Sequence, residues 1–420
     1  MLDLRALRED PERFRAGLAR RGVADRLDRL LELDAEQRAL KVQVEELRAE
    51  QNRISKETGR ATPEQRATLV EEGRHIAAKL RDLEPDLERT TEYLDELLAE
   101  LPNLPDDSVP DGETEEDNEV VRTHGEPPTF DFEVRDHMEL GESLRMIDVE
   151  RGVRTSGSRF YYLTGAAVRL QFALLQYGLA FADRHGLFPM WTPALVRREA
   201  MYGTGFLPTD EAQIYVVRED DLYLIGTAEV TVASYHAGEI LQADSLPIRY
   251  LGYSTCFRRE AGTYGKDTRG VFRVHQFDKL EMFSFVSPDA SHDEHERLLA
   301  IEEEWVQSLE LSYRVVNVCI GELGASAAKK YDIEAWFPGQ EAYREITSTS
   351  NTTDFQARRL GVRMRGEGGN TPVHTLNGTL CAMSRTIICL MENHQQADGS
   401  IRVPEALHPY LSEDAGVIRP

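Results

Sequence analysis

Between residues 27 and 101 apolar side chains recur at every seventh position, and no other feature of the sequence restricts the fold as strongly. Leu33, Leu40, Leu47 and Ile54 form one series, accompanied by Leu30 and Val44. Two more follow: Ile76, Leu83, Thr90 and Leu97, then Leu80, Leu87, Leu94 and Leu101. Sustained heptads with charged residues between them specify supercoiled helices that bury one shared seam. The break is Gly59-Arg60-Ala61-Thr62-Pro63. Gly59 suits a left-handed helix end, Thr62 an N-cap completed by Gln65, and Pro63 the first helical position. Two helices of similar length joined by so short a turn make an antiparallel hairpin. At about 1.5 Å per residue, such helices extend roughly 45 Å or more. The hairpin is either a dimerisation coiled coil or an arm that grips an elongated partner. Arg48, Arg53, Lys56, Arg60 and Arg66 cluster near its turn.

The chain changes character after residue 105. Residues 106–128 are rich in Pro, Asp and Glu without periodicity and read as an acidic linker. Residues 129–420 then mix an apolar helix at Ala166–Arg184 with short strand-like runs at 221–225, 247–253, 271–285, 313–318 and 374–376. This order predicts an α+β domain on a mainly antiparallel sheet with flanking helices. The expected organisation is thus a helical hairpin (1–105), a linker (106–128) and a catalytic domain (129–420).

The net charge of −25 argues against broad nucleic-acid binding, but 19 of the 49 basic residues fall in the first 100, so a local RNA contact stays open. No apolar run approaches the roughly 20 residues of a membrane helix. The four cysteines are scattered and the N-terminus lacks a signal layout, so a cytoplasmic location without membrane contact is expected.

The chemistry concentrates between Cys256 and Glu281. Cys256-Phe257-Arg258-Arg259-Glu260-Ala261-Gly262 leads into a polar loop ending at Gly270. Val271-Phe272-Arg273-Val274-His275-Gln276-Phe277-Asp278-Lys279-Leu280-Glu281 follows, giving strand–loop–strand. Period two would put Arg273, His275, Phe277, Lys279 and Glu281 on one face. That face is either a solvent-facing strand laced with ion pairs or a site: arginines for phosphate, a ring for a base, a carboxylate for an ammonium.

This segment resembles motif 2 of the class II aminoacyl-tRNA synthetases in their seryl form, F-R-x-E-A-G-x-x-G-x-D-T-R-G followed by R-x-H-Q-F-x-K-x-E. Other segments agree in order. Gly186-Leu187-Phe188-Pro189 through Val196 resembles motif 1, the dimer-interface motif, and Thr227-Ala228-Glu229 the T-x-E signature. Glu345-Ile346-Thr347-Ser348, with Asp354-Phe355-Gln356-Ala357-Arg358-Arg359, resembles a further family segment. Asn377-Gly378-Thr379 through Arg385 resembles motif 3, and Glu392 through Gly399 the C-terminal signature. The resemblance covers essentially the whole chain and implies that the hairpin is a tRNA-binding arm.

It further implies a ligase that activates L-serine with ATP and Mg²⁺, then charges tRNA(Ser), with tRNA(Sec) as a second candidate acceptor, as a homodimer through motif 1. By the resemblance Arg258, Arg273 and Arg385 are the catalytic charges, on the α-phosphate, the γ-phosphate and the far side of the triphosphate. Glu260 would read the adenine edge and Phe277 stack on adenine. Arg259, Val274, Ile346 and Thr347 complete the ATP set, with Glu345 and Ser348 as Mg²⁺ ligands. Thr227, Ala228, Glu229, Arg258, Glu281, Asn377 and Thr379 form the serine pocket, with Glu281 on the amine. His275 is expected to pack or to act through neighbours, because a substrate carboxylate already ionised at pH 7 requires no general base. The chain departs from the family in motif 3. Thr379 stands for a serine, and Leu380 and Ser384 stand for glycines, which is expected to limit close backbone approach. A carrier-protein ligase, which would lack the arm, and a scaffold with a degenerate enzyme domain are the competing readings.

Overall fold

The computed structural model describes residues 1–420 except 263–269, 367 and 413–415. It divides into two compact units, Met1–Leu104 and Pro105–Pro420.

In the first unit two long helices, α1 (Asp25–Thr58) and α2 (Pro63–Glu100), run antiparallel. Arg26 pairs with Glu100 (2.9 Å), Gln37 with Thr91 (3.3 Å) and Arg48 with Glu84 (2.7 Å), so the register advances on one helix as it recedes on the other. Val44, Ile54, Ile76 and Leu80 form the buried seam of the outer half. At the base Leu27, Leu30, Leu33, Leu94 and Leu98 pack with Leu7, Phe14 and Leu18 of two short preceding helices. Leu40, Leu47, Leu83, Leu87 and Leu97 of the heptads are only half-buried, because a two-helix hairpin leaves its seam open along the sides. Thr62 caps α2 as expected: its Oγ1 accepts from the Gln65 N–H (3.5 Å), and its own N–H donates to Gln65 Oε1 (3.3 Å).

Gly59 is not left-handed. It keeps φ −65° and ψ −19°, with its N–H bonded to the Ser55 carbonyl at 3.3 Å, so the helix closes by a right-handed turn that requires no glycine.

The second unit is built on an eight-stranded sheet. Its strands are β1 (Glu119–His124), β2 (Phe188–Trp191), β3 (Ile248–Phe257), β4 (Gln276–Val286), β5 (Tyr313–Asn317), β6 (Lys329–Phe337), β7 (Ala342–Thr353) and β8 (His374–Ala382). They lie in the order β1-β5-β6-β7-β8-β4-β3-β2, antiparallel except for the β2–β3 pair. Helices α3 (Ala166–Arg184), α4 (Glu229–Ser234), α5 (Ser291–Ser308) and α6 (Met383–Asn393) accompany it. Leu280 and Met282 of β4 join Leu174, Phe181, Trp305 and Ile387 from α3, α5 and α6 in the main core. By strand alternation Lys279 and Glu281 face the other side.

Several expectations change. Residues 106–128 are not a free linker: β1 pairs with β5, the Asp106 N–H bonds to Ala328, and Val109 is buried beside Val316 and Ile320. Every side chain of β1 is exposed, so its polar composition hides a strand held by backbone pairing. The strand expected over 271–285 begins only at Gln276. Val271, Phe272 and Val274 are buried outside any strand, so the shared face is kept by Phe277, Lys279 and Glu281 alone. The loop over residues 263–269 lies outside the described residues. The runs at 247–253 and 374–376 extend to Phe257 and Ala382, and the run at 221–225 narrows to Leu222–Leu224. β7, rich in Ser and Thr, has no apolar alternation from which to read it, whereas β6 alternates Tyr331, Ile333, Ala335 and Phe337 into the main core and is missing from the expected runs all the same.

Two opposite effects on the hairpin follow. Gly59→Ala is expected to stabilise the chain by about 0.4–1 kcal/mol, since its right-handed φ accepts a side chain and only unfolded-state entropy is lost. Leu94→Ala, at a fully buried position, is expected to cost about 2–5 kcal/mol. Denaturant unfolding of both variants against the parent measures the two signs.

Candidate active site

Motif 2 supplies one wall of the site through β3 and β4. The Arg258 N–H bonds to the His275 carbonyl (3.0 Å), extending the β3–β4 ladder by one rung beyond Phe257 and Gln276. The Arg258 guanidinium then donates to the Gly226 carbonyl (3.2 Å) and lies 5.3 Å from the centre of the Phe277 ring. Glu260 sits at φ +51°, a left-handed conformation uncommon for a side chain this size, and ion-pairs with Arg273 at 2.9 Å. The other wall comes from β7, β8 and α6. Arg385, in the first turn of α6, bonds to both the carboxylate and the backbone carbonyl of Glu345 at 3.0 Å each.

These groups border a cavity of about 40 Å³ lined by Arg258, Glu260, Phe272, Arg273, Val274, Phe277, Lys279, Glu345, Ile346, Thr379, Ala382, Ser384 and Arg385. A second, of about 330 Å³, shares Arg258, Glu260 and Arg273 and continues past Gly226, Phe257, Phe206 and Asp210. Burial works against the Glu345 charge, yet Arg385, Lys330, Arg258 and Arg273 outweigh it and hold the carboxyl well below its ordinary range. Such a field is suited to a polyanion.

Next to the arginines lies a smaller polar cluster. Glu281 accepts from Asn377 Nδ2 (3.0 Å) and Thr379 Oγ1 (3.1 Å) and pairs with Lys279 at 2.5 Å. Glu229 receives Gln356 Nε2 at 2.7 Å. Burial first, then the Glu281 charge, raise the Glu229 carboxyl to about 7 against that amide and the pull of Lys279 and Arg258. Beneath the sheet Glu302 is fully buried, accepts from Thr347 Oγ1 (3.0 Å), and is pushed well above its ordinary range by burial. It explains Gly378, where a Cβ would stand 2.7 Å from Glu302 Oε1.

Two β-bulges set which side chains share the site. Ile333 pairs with Thr347 but Glu334 with Glu345, so the extra residue in β7 turns Ser348 back to the face of Glu345 despite their spacing of three. Likewise Leu280 faces Cys381 while Glu281 faces Thr379. Leu380 is the extra residue of β8, and Thr379 and Ala382 both reach the cavity. Leu380 is fully buried in the main core and Ser384 lines the cavity; neither has a positive φ. Neither position therefore needs a glycine backbone in this fold.

Not every residue assigned from the sequence lines the cavities. The Arg259 side chain is exposed, and its N–H bonds to the Gln213 carbonyl at 2.9 Å. Ala228 is buried against Gly252. Thr347 points to Glu302, and Thr227 Oγ1 accepts the Glu229 N–H (3.2 Å) at the start of α4. His275 Nδ1 meets the Arg258 carbonyl at 2.9 Å, with its ring 5.2 Å from that of Phe160, outside both cavities. Sequence reasoning missed Phe272, whose ring has the guanidiniums of Arg344 and Arg385 at 4.1 and 4.6 Å. It also gave no role to Gln356, although the segment carrying it had been singled out.

The chain matches two family models: the seryl-tRNA synthetase N-terminal domain over residues 1–105, and the tRNA synthetase class II core domain (G, H, P, S and T) over residues 215–394. Serine–tRNA ligase 1 of Streptomyces avermitilis is 52% identical over 98% of this chain and 97% of its own. The serine–tRNA ligase of Thermobifida fusca is 51% identical over 99% and 98%. The crystal structure of seryl-tRNA synthetase from Pyrococcus horikoshii complexed with ATP superposes with a TM-score of 0.93 at 41% identity, each chain covered in full. These matches span the whole chain, which belongs to the seryl-tRNA synthetase family.

Proposed function

We propose that the chain activates L-serine with ATP, giving seryl-adenylate and pyrophosphate. It then transfers serine to the 3′ end of tRNA(Ser), with tRNA(Sec) as a second candidate acceptor. One observation carries the reading: Arg258, Arg273 and Arg385 converge on a single cavity that adjoins the Glu281–Asn377–Thr379 cluster. In the first step a serine carboxylate oxygen bonds to the α-phosphorus while the bond to pyrophosphate breaks. Two anions must approach, so fixed positive charge lowers the barrier by offsetting their repulsion and the charge on the leaving group. Arg258 would hold the α-phosphate, Arg273 the γ-phosphate and Arg385 the opposite side. Phe277 and Glu260 would receive adenine, with Val274 and Ile346 lining its place.

The oxygen donors Glu345 and Ser348, brought to one face by the bulge, suit Mg²⁺, which favours carboxylate and other oxygen ligands. When bound, the ion would neutralise phosphate charge. Serine would present its ammonium to Glu281 and Glu229, with Thr379 beside its hydroxyl. Pairing that hydroxyl rejects alanine, and the Thr379 methyl narrows the room for threonine. In the second step the terminal ribose hydroxyl attacks the seryl carbonyl and AMP leaves.

Two further assignments belong to this reading. The hairpin would grip the tRNA body near its basic turn, which suits an acceptor set with several anticodons. A homodimer would form through motif 1. Val168, Phe172 and Leu179 of α3 are exposed, as are Phe188 and Trp191 of the edge strand β2, and Trp191 is 85% exposed. The four cysteines are free and buried, consistent with a reducing cytoplasm, and among the described residues no helix is long and apolar enough to cross a membrane.

Arg273→Ala is expected to lower serine-dependent pyrophosphate exchange by about 100-fold or more, the scale of losing one preorganised charge contact; exchange at the parental rate would remove Arg273 from the mechanism. Replacing residues 35–92 by a short loop is expected to abolish tRNA charging and spare exchange, and charging that survived would refute the arm. The third expectation concerns pH. With its carboxyl near 7, Glu229 is ionised above that value and neutral below it. An ammonium ligand stabilises the ionised form, so the KM for serine should fall as pH rises from about 6 to about 8. A profile flat in the parent, or unchanged in Glu229→Gln, would exclude that contact.

A further inference from the structure

The C-terminal signature beginning at Glu392 contributes no atom to either cavity, and its geometry leads elsewhere. Glu392, fully buried at the end of α6, gathers three hydrogens. Oε1 receives the His137 N–H at 3.1 Å and His137 Nδ1 at 2.7 Å, and Oε2 receives the Gly339 N–H at 2.9 Å. Three residues on, Gln395 exchanges hydrogen bonds with the Arg135 backbone in both directions, at 2.9 and 3.0 Å. The signature thus fixes the segment running from Arg135 into His137 at four points and orients the imidazole. A carboxylate only accepts, so the Nδ1 proton goes to Glu392, and a backbone N–H directed at Nε2 needs a lone pair there.

That lone pair meets the Val271 N–H at 3.4 Å. Gly270, at φ +93°, presses so closely on the ring that a Cβ there would lie 2.2 Å from Nε2. The next three residues, Phe272, Arg273 and Val274, all line the cavity assigned above to ATP. They belong to no strand, so the sheet does not fix their course.

We infer that His137, oriented by Glu392, is a positioning residue for nucleotide binding: its Nε2 anchors the Val271 backbone and thereby aims Phe272, Arg273 and Val274 into the cavity. The inference rests on that cavity being the ATP site. It assigns the signature a task that explains its distance from the substrate: Glu392 and Gln395 serve the nucleotide through His137 and touch none of it.

The test uses the full chain with His137→Ala, His137→Asn and His137→Gln. Dissociation constants for ATP are measured by equilibrium dialysis, KM values for ATP and serine by pyrophosphate exchange, and melting curves are recorded for each. An asparagine amide reaches the place of Nδ1 and keeps the bond to Glu392 without reaching Val271. A glutamine amide oxygen reaches the place of Nε2. Ala and Asn are expected to weaken ATP about fivefold to tenfold, the scale of one lost hydrogen bond, with serine KM within about twofold and Gln recovering most of the loss. The inference is overturned if Asn binds ATP as the parent does, or if Gln is no better than Asn. It is equally overturned if ATP and serine weaken together in step with a fall in melting temperature, the mark of a general folding role. A parent chain that binds no ATP would instead overturn the site assignment, and the inference with it.

Discussion

Mutual repulsion among cations is the constraint to which the catalytic unit is built. Arg258, Arg273 and Arg385 share one small cavity with Lys279, and Lys330 stands close enough to act on the same Glu345 carboxylate. Left alone, such groups would splay into water. Carboxylates placed beside them hold them together: Glu260 on Arg273, Glu345 on Arg385 and Glu281 on Lys279. The pairs also hold these cations at the cavity wall rather than letting them drift apart. A chain whose net charge is −25 can therefore present a positive site.

Because each partner comes from a different strand, the charge pattern depends on the sheet. Motif 2 spans β3 and β4, Glu345 lies on β7, and Arg385 opens α6 directly after β8. Two bulges complete the arrangement, since regular strands would send Glu345 and Ser348, or Thr379 and Ala382, to opposite faces. The second bulge also accommodates a departure from the family pattern, because Leu380 turns into the core and leaves the cavity to its neighbours.

Behind the cavity lies a polar layer with a different duty. Glu302 is fixed by Thr347 in surroundings that favour the neutral acid. Buried polar groups of this kind tie helices to the back of the sheet at defined points, since a shift of either partner would leave an unpaired polar atom. The His137–Glu392 contact follows the same logic at the edge of the site.

Much of the protein was legible in its sequence. The heptads determined the hairpin and its turn, because burial on a helix repeats with the helix, and Thr62–Gln65 capped it where local chemistry required. The motif residues picked out Arg258, Glu260, Arg273, Glu345 and Arg385, which the structure brings to one cavity; charge chemistry is carried by residue type. Only the tertiary structure decided which of them meet. Arg273 reaches the cavity outside the strand that was to carry it, and Gly59 needs no left-handed turn. Glu119–His124, within the segment read as a linker, became an edge of the sheet, and β7 had no apolar rhythm to announce it. In each case the deciding forces are backbone pairing and long-range contact, which depend on partners many residues away and leave little trace in local composition.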